Sequence, residues 1–377
     1  MRRQLLAVVA LAMSGCSGGN GASAGAPASV EAEAPPSGGR GEPWLIDWGL
    51  WVVSPDGRKV AAAPAHDVLG GWVLDTATKT FTPLGDVRLV RADRIVTFDP
   101  ARGAYVDYET ASEFVVPPGD LPFPRYENVA ASNGRVLARL GRESDGHPAR
   151  LLVWHQQSAV SWDRTVAAGY QDAGLAVSPD GTRIAVAEET PEERVDVTLF
   201  DAVNGQELWK AKLGLKGTLP SAQVGLPLQF SEDGSVVLVG GSVEVPGPSP
   251  DYRWIELDAA SGAPERETAV EMLGAGSKKQ FCAAGISGGL LWSAKITRFS
   301  ESHANPSVEW SCEYRRFVLG RTKQAFTPEP DAKLQRQVMG TDDMRCPTRA
   351  IRVTPSGLTV VRVAGSKVRV LTWRTPP

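Results

Sequence analysis

At 176–189 the chain reads AVSPDGTRIAVAEE: a short apolar segment enters Ser-Pro-Asp-Gly and leaves into a second apolar segment. VVSPDGRKVAAA at 52–63 repeats the plan. Proline presets φ for the first central position of a turn, aspartate bonds back to its own backbone, and glycine takes positive φ without steric cost. Flanked by apolar residues on both sides, each copy predicts a β-hairpin. The unit returns as Ser231-Glu232-Asp233-Gly234 and Thr354-Pro355-Ser356-Gly357, and in degenerate form at Ala92-Asp93, Ser132-Asn133-Gly134 and Ser287-Gly288-Gly289. The marks 54, 92, 132, 178, 231, 287 and 354 are spaced from 38 (54 to 92) to 67 (287 to 354) residues. Recurrence every ~40–50 residues with four short strands per unit is the pattern of a propeller. The expected fold is therefore all-β, a single β-propeller of seven four-stranded blades. Six or eight blades, or a pair of β-sandwiches, are the alternatives.

The fourth unit shows the plan best. AGLAVS is the inner strand, RIAVAEE the second, VDVTLFDA the third, and ELWKAKL the outer strand after the turn VNGQ. Alternation in VDVTLF places Val195, Val197 and Leu199 on one face. The third-strand motif recurs at 71–84, at 253–267 and, loosely, at 150–162, and three of the turns that follow begin with aspartate. The Ser-Pro-Asp-Gly unit resembles the repeats of the Tol-system periplasmic propeller and of WD-repeat-like bacterial propellers. VTLFDAVNGQELWKAKL (197–213) is similar to the repeat of pyrroloquinoline-quinone-type propellers, in which Asp, Gly and Trp recur in that order. That repeat also builds the lipoprotein of the outer-membrane barrel-assembly machinery. The resemblance implies a propeller over residues 44–377.

The last unit offers only three strands, so the ring needs a fourth from elsewhere. PWLIDW (43–48) is the expected donor, because a ring open at one seam leaves unpaired strand edges. Residues 264–280 could hold a helical turn or two, and 242–252, 298–309 and 326–347 read as inserted loops on the faces. Trp51, Trp72, Trp154, Trp209, Trp254 and Trp373 fall in or beside strands and read as packing between blades.

MRRQLLAVVALAMSGC has two arginines, an apolar run from Leu5 to Met13, and small residues before Cys16. That is the layout of a secretory signal, and the run is too short for a stable membrane span. Met13-Ser14-Gly15-Cys16 resembles the bacterial lipobox, with Met13 where leucine is usual. The resemblance implies a signal peptide over 1–15, removed as Cys16 is lipidated. An ordinary secreted protein with Cys16 free is the alternative. Residues 16–43 are rich in Gly, Ala, Ser, Pro and Glu. Such a segment buries too little apolar surface to offset its ordering entropy and reads as a disordered tether. Ser17 after the cysteine resembles outer-membrane sorting, so the expected address is the cell envelope, at the outer membrane facing the periplasm.

The formal net charge is -3, and no clustered basic surface suggests nucleic acid. Beyond Cys16 stand Cys282, Cys312 and Cys346. Export permits disulfides, and three pairings are open. Cys312 with Cys346 is favoured, as both sit beside the longest insertion, against three reduced thiols. His66, His147, His155 and His303 are dispersed, so no metal site is expected. No Gly-x-Ser-x-Gly elbow or phosphate loop occurs. TDDM (341–344) and EETPEER (188–194) read as solvated loops. The expectation is a membrane-tethered, non-enzymatic propeller without cofactor that binds an envelope protein or peptide. The alternative is an enzyme or glycan binder using the central channel, which needs two or more carboxylates, or histidine, on the inner strands.

Overall fold

A computed structural model describes residues 28–33, 49–64, 70–90, 94–116, 127–141, 149–156, 160–166, 174–190, 194–215, 228–231, 233–243, 251–270, 281–287, 290–296, 312–318, 348–354, 357–364 and 367–373. Strand β1 (Ala28–Glu33) is followed by five sheets of four consecutive strands. The first holds β2 (Gly49–Val53), β3 (Lys59–Pro64), β4 (Trp72–Asp75) and β5 (Thr80–Pro83). The second holds β6 (Arg88–Val90), β7 (Val96–Asp99), β8 (Ala104–Asp107) and β9 (Ser112–Val115). The third is β10 (Glu127–Ser132), β11 (Val136–Gly141), β12 (Arg150–His155) and β13 (Val160–Thr165). The fourth is β14 (Gly174–Val177), β15 (Arg183–Glu189), β16 (Val195–Asp201) and β17 (Glu207–Lys212). The fifth is β18 (Leu228–Phe230), β19 (Val236–Val243), β20 (Asp251–Asp258) and β21 (Pro264–Val270). Three described strands form the sixth: β22 (Phe281–Ser287), β23 (Leu290–Ile296) and β24 (Cys312–Val318). The seventh comprises β25 (Thr348–Thr354), β26 (Gly357–Ala364), β27 (Lys367–Trp373) and, on its outer edge, β1.

The seven sheets are blades of a β-propeller. Alternate residues of each strand face the two neighbouring blades, so each apolar cluster spans one interface. Val60, Ala62 and Leu74 of blade one pack with Val361, Val363 and Val370 of blade seven. Ala61, Ala63 and Val73, one residue out of phase, pack with Leu89 and Ile95 of blade two. Phe98 and Tyr105 of blade two meet Trp154 of blade three, and further clusters join blades three to four and four to five. Inner strands β18 and β22 lie side by side, as do β22 and β25, which completes the ring.

An N-terminal strand closes that ring, but it is not the segment expected. β1 pairs along its whole length with β27, from Ala28 opposite Thr372 to Glu33 opposite Lys367. Val30 and Ala32 pack on the cluster shared by blades seven and one, while Glu31 binds Arg369 at 2.6 Å. The strand thus lies inside 16–43, which the sequence reading assigned to a tether. Its only apolar side chain larger than alanine is Val30. It is a strand because β27 offers a free ladder, which composition cannot reveal. Residues 43–48 lie outside the described residues, as do Cys16, Cys346 and 341–344. Cys312 begins β24, with its side chain outside the described set.

Two smaller corrections concern blade five. The helical turn entertained over 264–280 is instead β21 for residues 264–270, because these residues find a ladder partner in β20. The insertion placed at 242–252 is shorter, since Ser242 pairs with Tyr252 and Val243 with Asp251. The tryptophan reading is supported at Trp51, Trp72 and Trp154, each in a cluster shared by two blades, and at Trp209, which packs on the interface of blades four and five, while Trp254 is buried against Gly240 of its own sheet. The Trp373 side chain lies outside the described set.

Candidate functional site

The antiparallel order puts the turns between first and second strands, and between third and fourth, on one face of the disc. The connections between second and third strands, and between blades, leave from the other. The turn face is built from the Ser-x-Asp-Gly units. In blade four, Ser178 Oγ donates to Asp180 Oδ1 at 2.6 Å and accepts from the Arg183 amide at 2.9 Å. The Gly181 amide donates to Ser178 O at 2.9 Å, with Gly181 at φ 74°. Blades one and five repeat these bonds with Ser54–Asp56 and Ser231–Asp233. Asp75, Asp201 and Asp258 cap the outer turns by accepting two backbone amides each.

These bonds favour the ionised carboxylates. The Ser178 hydroxyl lowers the pKa of Asp180, and the Ser231 hydroxyl with the Ser235 amide lowers that of Asp233 to about 2. A depressed folded pKa contributes stability above the ordinary aspartate range that is lost as pH falls through the folded value. The advantage of wild type over Asp233→Asn in acid denaturation should therefore fall between about pH 4 and about pH 2, the ordinary and the shifted aspartate values, and vanish below about pH 2.

The turns are also bolted to one another. Trp162 Nε1 of blade three donates to Ala202 O of blade four at 2.7 Å, and Trp209 Nε1 of blade four donates to Ala259 O of blade five at 3.1 Å. The two indoles lie against Gly205 and Gly262 of the receiving turns. This geometry accounts for the Asp-Gly-Trp pattern: aspartate and glycine shape a turn, and the tryptophan reaches the next blade's turn. A Cβ at Gly262 would stand 2.7 Å from the Trp209 ring, on a backbone at φ +72°. Gly262→Ala should cost about 2 kcal/mol in urea unfolding, from strain and overpacking together. Arg183 completes the stitching, donating to Ala259 O and Gly234 O at 3.2 Å each.

Two buried ionic groups stand within blades four and two, and sequence reasoning missed both. On the loop side of blade four, Glu188 and Asp196 stand directly opposite each other in the β15–β16 ladder. Both are 6% exposed. Lys210 of β17 bridges them, 3.3 Å from Glu188 and 3.1 Å from Asp196. Burial raises the Glu188 pKa against the pull of Lys210. Burial also works against the charge on Lys210, but the two carboxylates outweigh it and raise its pKa. The sequence alone places Glu188 in a solvated loop, 188–194. It lies instead on β15, on the side of the sheet whose Ile184 and Val186 pack with blade three.

On the turn side, Arg94 lies 2.9 Å from both Asp107 and Glu109. Burial raises the Glu109 pKa, opposed by Arg94 and then Arg352. Arg352 donates to Val53 O at 2.8 Å across the ring-closing seam. Arg352 thus reaches blade one through a hydrogen bond and blade two through its charge on Glu109. These ion pairs do structural work, because each cation is already neutralised by its own carboxylates.

The channel has different chemistry. Inner strands β2, β6, β10, β14, β18, β22 and β25 together contain one carboxylate residue, Glu127, and no histidine. Among the described residues, no group of three or more His, Cys, Asp or Glu gathers in metal-binding proximity.

No family model and no curated protein matches the chain. Solved structures do. A chain of a mitotic checkpoint complex matches at 13% identity and a TM-score of 0.53, over 100% of both chains. The β-propeller domain of the Trilobed protease from Pyrococcus furiosus matches at 12% identity and a TM-score of 0.50, covering 87% of this chain and 96% of that one. An acylaminoacyl peptidase from Pyrococcus horikoshii matches at 10% identity and a TM-score of 0.51, covering 87% of this chain and 53% of that one. Such low identity speaks for the fold alone, and propellers serve many functions.

Proposed function

We propose that the chain is a non-catalytic propeller lipoprotein, anchored through Cys16 in the bacterial envelope at the periplasmic side of the outer membrane, that binds an envelope protein or peptide. The inner strands carry this reading. A channel enzyme of the kind considered from the sequence needs paired carboxylates or a histidine there to move protons, and these strands offer one glutamate. Elsewhere the two buried charged clusters pair cation with carboxylate inside single blades, blade two and blade four. A rigid disc with loops on one face suits recognition of another macromolecule, with affinity set by the loops and not by bound chemistry.

The test is affinity purification from detergent-solubilised envelope, with the acylated protein as bait and an unacylated Cys16→Ser form as control. One reproducible partner, enriched with the acylated bait, is the expected result. No reproducible partner in repeated purifications, or no incorporation of labelled palmitate into the wild-type product, would overturn the reading.

A further inference from the structure

The identity of the ring-closing strand fixes where an anchor pulls on the disc. β25 ends on the turn face, where Thr354 stands opposite Gly357. β26 runs from there to the loop face, and β27 returns to finish at Trp373 on the turn face. β1 is antiparallel to β27, with Ala28 opposite Thr372 and Glu33 opposite Lys367. The chain therefore enters the fold on the turn face, at the outer rim of blade seven. The same face bears Val53, which accepts the bond from Arg352 across the seam.

In the sequence, residues 17–27 separate Cys16 from Ala28. At no more than about 3.6 Å per residue, these eleven residues reach ~40 Å, and a Gly- and Ser-rich chain of that length has a root-mean-square span of ~18 Å. Strands of this length, at about 3.3 Å per residue, make the disc ~25 Å thick. The average span is thus shorter than the disc is thick. Closure by 43–48 would have left a reach of ~95 Å from Cys16, long enough for either face to meet the bilayer.

We infer that the turn face at the rim of blades seven and one is the surface held against the lipid bilayer, which leaves the loop face as the one open to a soluble partner. The inference rests on the lipid anchor proposed above. It assigns the two faces different partners. The cross-bonded turns are a base beside the membrane, and the connections between second and third strands and between blades point away from it.

The test places an encoded fluorescent amino acid singly at Arg58, on the turn face of blade one, or at Asp86, in the β5–β6 connection on the loop face. Both positions are exposed. Energy transfer is measured to acceptor-labelled lipid headgroups in two arms. One uses the acylated protein in phosphatidylethanolamine–phosphatidylglycerol vesicles. The other replaces residues 1–16 by a hexahistidine segment held on nickel-chelating lipid. Transfer from position 58 should exceed that from position 86 several-fold in both arms, and a long Gly-Ser insertion between residues 27 and 28 should abolish the difference. Equal or reversed transfer in the nickel arm would overturn the orientation. Failure of the native protein to carry lipid and float with vesicles, with the difference intact in the nickel arm, would instead overturn the lipoprotein reading and uphold the geometry.

Discussion

Removing β1 should open the ring. A chain starting at residue 34 loses the antiparallel ladder to β27, which runs six residues from Ala28 to Glu33. It also loses the cover that Val30 and Ala32 give to Val361, Val363 and Val370, and the Glu31–Arg369 ion pair. At about 1 kcal/mol net per ladder bond, plus the apolar area of one half-buried valine, the loss is roughly 3–5 kcal/mol after the ordering entropy of the strand is returned. The exposed edge of β27 is then a template for another chain, so self-association should accompany the loss. Urea unfolding followed by tryptophan fluorescence, with light scattering, reads both effects. A synthetic peptide of residues 28–33 fused through a linker to the C-terminus is expected to restore part of the stability. If the shortened chain unfolds at the wild-type midpoint and stays monomeric, β1 does not close the ring. Val30→Asp is the milder version. It sets a carboxylate against the apolar cluster shared by blades seven and one and should cost about 2–3 kcal/mol, less than a full burial because Val30 is only partly covered.

The second large effect is expected at Lys210. Lys210→Met leaves Glu188 and Asp196 facing each other, both buried, with no cation between them. Breaking a buried ionic group by removing one partner typically costs 3–5 kcal/mol. The lower end, about 3 kcal/mol, applies here, because the Lys210 side chain is 34% exposed and water reaches one side of the group. The pH dependence has a definite sign. Burial already raises the Glu188 pKa in the wild type, and removing Lys210 raises it further. A carboxyl with a raised folded pKa contributes stability that is present below its unfolded value and is lost as pH rises through the folded one. The deficit of the variant should therefore be large at pH 8 and should shrink as pH falls towards about 4–5, near the ordinary glutamate value. Replacing all three groups together, as Lys210→Met, Glu188→Gln and Asp196→Asn, should recover most of the loss, since no unpaired charge remains. A deficit that does not change with pH would mean that Lys210 acts through packing of its aliphatic stem.

The turns were legible in advance because their chemistry is local. Ser178, Asp180 and Gly181 make their bonds within a span of five residues, so the order of residue types is enough to predict them. Val195, Val197 and Leu199 were legible for a similar reason, since the period of two is a property of the strand itself. Trp209 was legible as packing, but its hydrogen bond to Ala259 O was not, because that partner stands in the next blade.

What the sequence by itself determined about this protein is the repeating hairpin and, through it, the all-β ring, because turn residues and alternating apolar residues act over a few neighbours. What only the tertiary structure decided is the fate of the other face of each strand. A lone sheet would leave Asp196 and Glu188 in water. In a propeller the adjacent blade covers that face, so charges there must be paired, and the partner is Lys210 on the next strand. Ring closure was decided the same way. Ala28–Glu33 is a strand because the open edge of β27 satisfies its backbone and the seam takes up Val30, a contact made across more than 300 residues of chain and invisible in any local run of residues.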